Sequence, residues 1–559
     1  MNFHKELLVK RVALLLASVL LPLTAASAAP VATFDAQRMS NHVRTLGSDA
    51  YEGRGVATRA EVKTIDYLVG QFRGAGLQPG GDLVHGKRMW TQAVPLLKSE
   101  FVADPKIRLN LAGAPMVLVQ REQIALRAPM DGSKTISLAK VPLLFVGYGV
   151  AAAERGWDDF KGVDVRGKML VMLVNDPDFD GPAGADFGGK AMTYYGRWTY
   201  KYEEAARRGA AGVMIVHETA PASYGWNTVK NSNTNAMFDI VRVSPRTVHT
   251  PFESWIQRDV AARIFAAAGL DYERAKMAAK RKDFRPMDLH ATLDASATAD
   301  TSVITSHNVA ALLAGKTHPN ETLIYSAHWD HLGIGQPDAK GDKIYNGAVD
   351  NGTGVAHLIE QARAFAAEPR TDRSILFLAV TAEEKGLLGS EYYGTHPLYP
   401  LATTVGMLNT DSMGVHGPAR DFSISGSAKL GLLDDLIAEG AREGRHFTPD
   451  AHPEAGHFFR SDHFSMAKVG VPAISLDAGL DLVTGGTARG EALAKDYVTR
   501  MYHQPADEWQ SDWDFTGMVA DAELLHAVGK KLANNREWPN WSKDSEFRAA
   551  RDRTAALRK

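Results

Sequence analysis

Four short apolar runs punctuate the second half of the chain, at residues 323–327, 375–381, 405–409 and 473–476. Short continuous runs of this kind suit strands buried on both faces of a mostly parallel sheet. Between the first two lies residues 354–367, where Val355, Leu358, Ile359, Ala362 and Phe365 share one helical stripe. This predicts a strand–helix–strand unit and an α/β layer from about residue 301 onward. Nearer the start, residues 35–73 read as helix with one break, and Val62, Ile65, Val69 and Phe72 recur at the spacing of a buried helical face. The glycine-rich stretch 74–86 ends that helix.

The texture between about 117 and 243 is different. β-rich runs at 141–148 and 169–174 alternate with glycine-bounded turns, and a helical segment at 200–208 precedes the apolar run 211–216. This predicts a separate, mostly β domain. The basic segment 273–285 reads as a solvated linker or helix face. The resulting division is 1–28, 29–116, 117–290 and 291–559.

Residues 1–28 have the form of an export signal. Lys5, Lys10 and Arg11 precede an apolar run over 12–25, and Ala26-Ser27-Ala28 offers small residues for cleavage. The run is short of the ~20 apolar residues that a comfortable span requires. An exported protein, periplasmic or extracellular, is therefore expected, with no stable membrane insertion after cleavage. The formal net charge of −2 comes with no basic run that points to nucleic acid. The chain has no cysteine, which excludes disulfides, thiolate metal sites and cysteine nucleophiles. Any metal must be held by His, Asp and Glu.

The chemically interesting residues stand where the predicted strands stop. The first run leads into His328-Trp329-Asp330, the second into Ala382-Glu383-Glu384 and the third into Thr410-Asp411. Open α/β sheets bind ligands beyond their strand carboxyl ends, so three segments deliver His, Glu and Asp to one edge. The loop before the crossover helix carries Asp350 to the same crevice. Adjacent acids closing an apolar strand are costly to desolvate without compensation, and a bound cation supplies it.

Taken together, His328-Trp329-Asp330, Gly347-Ala348-Val349-Asp350-Asn351, Ala382-Glu383-Glu384-Lys385-Gly386, Asn409-Thr410-Asp411-Ser412 and Tyr502-His503-Gln504-Pro505 resemble, in order and spacing, the co-catalytic zinc aminopeptidases. That family also holds glutamate carboxypeptidase II, glutaminyl cyclase and the transferrin receptor. Tyr51-Glu52-Gly53-Arg54 is family-like as well.

The resemblance implies a zinc exopeptidase fold, a mostly parallel mixed sheet flanked by helices. It implies two Zn²⁺ per chain, with Asp350 bridging, Glu384 and His503 completing one site, and His328 and Asp411 the other. Glu383 is then the general base for a zinc-bridging water. Asp330 stands behind the ligands, and Asp507 is expected to orient His503. Three carboxylates and one hydroxide balance the four positive charges of the metal pair. The implied substrates are peptides and the implied activity is that of an aminopeptidase. A carboxypeptidase, a glutaminyl cyclase and a non-catalytic receptor of the same fold are the alternatives.

Relatives often place a tyrosine just before the Ser-Asp-His segment. Here Phe458-Phe459-Arg460 precede Ser461-Asp462-His463, which leaves Arg460 or a metal ion to polarise the substrate carbonyl. Asp164-Val165-Arg166-Gly167-Lys168 and the strands after it resemble a protease-associated domain inserted in the peptidase. Within it, Arg197 and Lys201 are candidates to line the substrate pocket.

Overall fold

The computed structural model describes residues 34–112, 114–182, 185–543 and 545–558. The expected export signal lies outside them. Among the described residues no helix is long and apolar enough to cross a membrane.

Helix α1 (Ala36–Leu46) is capped by Asp35, whose side chain accepts the Arg38 N–H, and α2 (Arg59–Gly74) by Thr58 in the same way. The break between them is the turn around Glu52, Gly53 and Arg54, all at positive φ. The face of α2 differs from the expected one. Val62 is 61% exposed, while Ala60, Glu61, Thr64, Leu68 and Phe72 are buried. The rotation has a polar cause. Glu61 turns inward to accept hydrogen bonds from the Ala57 N–H and the Ser306 hydroxyl, and its other oxygen meets His307 Nδ1 at 2.9 Å.

Strand β1 (Thr91–Phe101) follows, and then a second body with its own core. This body contains β2 (Lys106–Leu111), β3 (Thr135–Phe145), β4 (Met169–Leu173), α3 (Trp198–Arg207), β5 (Gly212–His217) and β6 (Glu253–Gln257). Strands β3, β4, β5 and β6 run parallel in that order. Its core already includes Ile107 and Leu109, earlier than the expected boundary at 117. The basic segment is a helix over Tyr272–Ala279 that buries Tyr272, Ala275 and Ala279 and turns its charges outward.

Strand β7 (Met287–Leu313) belongs to both bodies. Its first half pairs antiparallel with β2 and β3, and its second half with β1. The sequence places a linker or helix face at 273–285 and a domain boundary after 290 here. Instead one long strand carries the ladder from one core to the next, so the two bodies share a continuous backbone hydrogen-bond network.

The C-terminal layer is then laid down as β8 (His318–His328), α4 (Gly354–Ala367), β9 (Arg373–Val380), β10 (Thr404–Thr410) and β11 (Ala473–Ala478). The order across the sheet is β7-β9-β8-β10-β11, and the last four strands are mutually parallel. Every residue of β9 and β10 is buried, as the continuous apolar runs require of strands covered on both sides. All five stripe residues of α4 are buried. The C-terminal layer is an α/β fold, with a large mixed sheet flanked by helices.

Candidate metal centre and its surroundings

The carboxyl ends of β8, β9 and β10 converge. His328 is the last residue of β8, Glu383 and Glu384 follow β9, and Asp411 follows β10. Asp350 comes from the loop between β8 and α4. His328 Nε2 lies 3.2 Å from Asp411 Oδ1 and 3.3 Å from Asp350 Oδ1. His503 Nε2 lies 3.2 Å from Asp350 Oδ2 and 3.1 Å from Glu384 Oε2. The two oxygens of Asp350 thus face two different histidine–carboxylate pairs. Glu383 Oε2 is 4.0 Å from His328 Nε2, at the edge of the same cluster. Two groups of ligand-type atoms result, His328–Asp350–Asp411 and His331–Asp350–Glu384, each within 4.8 Å of one another.

Several chain turns make this convergence possible. Ala382, Ser412 and His503 all sit at positive φ, each at or beside a cluster residue. Left-handed backbone at non-glycine residues is strained and persists where the surroundings enforce it. Gly347 also has positive φ, and a Cβ there would meet Asp350 O at 2.2 Å and the His331 ring at 2.5 Å. The Asn351 side chain stitches two of the segments together. Its Nδ2 donates to Thr410 O, and its Oδ1 accepts the Gly354 and Ser412 N–H groups.

The electrostatics show what the cluster lacks. Burial alone would raise Asp350, but hydrogen bonds from His328 and His503 hold it well below the usual carboxylate range. Burial alone would lower His503, yet Glu384 and Asp350 lift it to about 10. Burial raises Glu383 well above its ordinary value, opposed by the charge of His328 and reinforced by Asp411 and Glu384. Asp330 is pushed up to about 7, chiefly by burial. Several carboxylates are therefore packed into a largely buried site beside His328, His331 and His503, with the Arg54 guanidinium behind them. Glu384 Oε1 lies 2.6 Å from His331 Nδ1 without hydrogen-bond geometry, and both atoms are buried with no hydrogen-bond partner. Oxygen and imidazole donors left this way suit a divalent cation.

With that geometry in view, the comparisons are informative. Residues 308–526 match the model of Peptidase family M28. This segment of the chain is similar to the M28 peptidases. A probable zinc metalloprotease of Pyricularia oryzae is 35% identical over 107 residues, 19% of this chain and 21% of that protein. Aminopeptidase YwaD of Bacillus subtilis is 34% identical over 93 residues, 16% of this chain and 18% of that one. The matched stretches thus span about a fifth of these curated relatives. An aminopeptidase from Aneurinibacillus sp. strain AM-1 shares the fold, with a TM-score of 0.50 at 19% identity over 90% of this chain and 95% of that one.

Around this centre the structure also places residues that sequence reasoning missed or assigned otherwise. His331 is fully buried beside Glu384. Its signal was a second histidine in the loop after β8. Arg54 is fully buried, and its guanidinium donates to Trp329 O, Leu46 O, Asn346 O and Gly347 O at 2.7–2.9 Å. It clamps both the His328 loop and the Asp350 loop. Tyr502 lays its ring on His503, centroids 3.9 Å apart, and so brings a phenol to the rim of the centre.

Four assignments change. Asp507 does not reach His503. Its carboxylate accepts the Val349 and Asp350 N–H groups and so fixes the Asp350 loop. Asp330 leaves the His328 ring to its own backbone carbonyl, 3.1 Å from Nδ1, while its Oδ1 accepts the Glu383 N–H. Lys201 is fully buried and donates to Tyr148 O, Asn175 O and Tyr195 O, which makes it a structural clip instead of a pocket residue. Arg460 points across to the second body, where Nη2 donates to Ser223 Oγ at 2.5 Å. Arg197 begins α3 on that same wall.

Proposed function

We propose that this protein is an exported dinuclear zinc aminopeptidase that hydrolyses peptide bonds. The single observation that carries the reading is the Asp350 carboxylate, which offers one oxygen to each of two histidine–acid pairs. His328 and Asp411 would hold one zinc, Glu384 and His503 the other, and Asp350 both. His331 stands close enough to Glu384 to join or support the second group. Such cations, when bound, supply Lewis acidity and bring the pKa of water down to about 7.

The chain's own residues do the rest. Glu383 takes the proton of the attacking water at its carboxylate and returns it to the departing amine nitrogen. Its upward-shifted pKa suits a group that must carry a proton between the two steps. Asp330 positions Glu383 through the backbone N–H. Tyr502, stacked on His503 at the rim of the centre, offers its phenol as a proton donor for the developing oxyanion. This phenol takes the role that the sequence leaves open beside Phe459.

The second body is read as a protease-associated-like domain that walls the cleft. In support, Met192 N–H donates to Pro453 O, and the Tyr194 ring lies 6.2 Å from that of Phe459.

The test combines metal content with turnover. The reading requires two zinc ions per chain, cleavage of aminoacyl-nitroanilides that stops with a chelator and returns with zinc, and no cleavage of N-blocked peptides. Glu383→Gln is expected to keep both metals and lose about 10²–10⁴ in kcat. One metal per chain with pyroglutamate as product would replace this reading by a cyclase. Undiminished turnover by the Glu383→Gln variant would remove the base assignment.

A further inference from the structure

The turn that carries Glu383 and Glu384 is bent in three places. Ala382, Gly386 and Leu387 have φ of 53°, 114° and 63°. The Gly386 and Leu387 N–H groups both donate to Glu383 O, and the Leu388 N–H donates to Ala382 O. Left-handed backbone at Ala382 and Leu387 persists only where the surroundings enforce it. From its own layer the turn receives Asp330, whose Oδ1 accepts the Glu383 N–H. A further support comes from the second body. The segment between β5 and β6 leaves that body, adds a short strand (Met237–Ile240) antiparallel to β1, and returns. Its Phe238 and Ile240 share one buried apolar cluster with Val94 and Leu96 of β1 and with Ala382 and Leu388 at the two ends of the turn. The Lys385 ammonium lies 5.7 Å from the Phe238 ring centroid.

A row of ionic groups ties the same segment to the helix that follows the turn, Leu388–Thr395. It starts inside the second body with Arg127 Nη1, 3.2 Å from Glu253 Oε2. His249 comes next, with Nδ1 3.0 Å from Glu253 Oε1 and Nε2 3.0 Å from Asp239 Oδ2. Arg242 then meets Asp239 through Nε at 2.6 Å and reaches Glu391 Oε1 through Nη2 at 2.9 Å. Burial opposes the charge of His249, and Glu253 and Asp239 overcome it and lift its pKa to about 9. The signs therefore alternate from Arg127 to Glu391. A lone surface pair contributes little, because two long side chains must be ordered to make it. Here Asp239 already takes Arg242 in two prongs, so the link to Glu391 needs little further ordering. Glu391 stands in the first turn of its helix, and its N–H donates at 2.9 Å to the carbonyl of Leu387, one of the left-handed residues.

Resting on the peptidase reading above, we propose that Arg242 and Glu391 are positioning residues, through which the second body holds the Glu383-Glu384 turn in its catalytic geometry. Turnover then depends on a body that supplies no candidate ligand and no base. The two side chains act through the helix and the Leu387 carbonyl on where Glu383 places its carboxylate. A general base must lie within hydrogen-bond reach of the proton it takes. Misplacing a reacting group by about 1 Å can cost about 10²-fold in rate. The signature of a lost tie is therefore a fall in kcat with KM little changed.

The experiment uses the full-length protein in saturating zinc, with an aminoacyl-nitroanilide as substrate, at a temperature where circular dichroism shows each variant folded. Glu391→Ala and Arg242→Ala should each lower kcat by about 10- to 100-fold, with KM within about threefold of the parent. The double variant should lose no more than the worse single one, because both changes break the same tie. Glu391→Gln and Arg242→Lys keep a weaker hydrogen bond and should recover part of the loss. They also carry the test where an alanine variant does not fold. Arg258→Gln breaks an ion pair elsewhere in the second body, with Glu218 at 3.1 Å, and should leave kcat at the parent value. A kcat within about twofold of the parent in the folded Glu391 and Arg242 variants overturns the inference and leaves the peptidase reading standing. A double-variant loss equal to the product of the single losses, or a loss carried by KM alone, overturns it as well. So does an equal loss in Arg258→Gln, since any damage to the second body would then suffice. A zinc-bound parent that cleaves no nitroanilide overturns the peptidase reading and the inference with it.

Discussion

Arg54 offers the sharpest test of how the centre is held together. Its replacement by alanine removes the donors to four buried carbonyls, Leu46 O and Trp329 O at 2.9 Å and Asn346 O and Gly347 O at 2.7 Å. A buried acceptor stripped of its donor costs about 1–3 kcal/mol, so the nominal sum is about 4–12 kcal/mol. Water entering the vacated space rehydrates part of the set, which places the expected loss near the lower end, at about 4–6 kcal/mol. That is comparable with the whole stability of many domains. The same change frees the His328 and Asp350 loops together, so zinc retention and kcat/KM should fall along with stability. Arg54→Lys restores the charge with a compact ammonium that cannot reach four separated carbonyls, and about half of the loss should remain. Urea unfolding followed by tryptophan fluorescence, paired with metal analysis, measures both effects. An Arg54→Ala protein within about 1 kcal/mol of the parent, with full zinc, would refute the clamp.

Three further outcomes are expected. His331→Ala should weaken zinc about 10- to 100-fold at the Glu384 side and leave the His328 side unchanged, as measured by chelator competition; equal weakening at both sides would contradict the placement. Tyr502→Phe should lower kcat by about 10²-fold with little change in KM, and an unchanged kcat would exclude the phenol as oxyanion donor. His249 meets Glu253 and Asp239 at 3.0 Å each, and these charges overcome burial to raise it to about 9. Because the folded pKa lies above the unfolded one, its contribution is complete below pH ~6.5 and is lost as pH rises through 9, by up to about 3 kcal/mol. His249→Gln should remove that slope from the pH dependence of unfolding, and an identical slope in both proteins would contradict the ion-pair account.

The positive-φ residues bear on how the centre stays open to chemistry. Ala382, Ser412 and His503 each pay backbone strain at a position where a strand end must turn a side chain into the cleft. The compensation is local: Asn351, Asp507 and Arg54 saturate the backbone groups of the very loops that carry the cluster. Ligand placement is thereby a property of the hydrogen-bonded frame behind the carboxylates as much as of the carboxylates themselves.

What the sequence by itself determined is what periodicity and strand-end position encode. The apolar runs at β8, β9, β10 and β11 and the stripe of α4 had to be buried on both sides, because no other placement removes so much continuous apolar surface from water. The polar residues that end those runs had to emerge on one edge of a parallel sheet. Only the tertiary structure decided which partners they found there. Val62 was displaced from the buried face because Glu61 met Ser306 and His307, residues far away in the chain. Asp507 turned to the backbone of Val349 and Asp350, His331 came against Glu384, and Arg460 reached Ser223 in the other body. Each of these depends on long-range contacts between polar groups, whose energies are set by distance, direction and burial. None of the three is a property of a residue's neighbours along the chain.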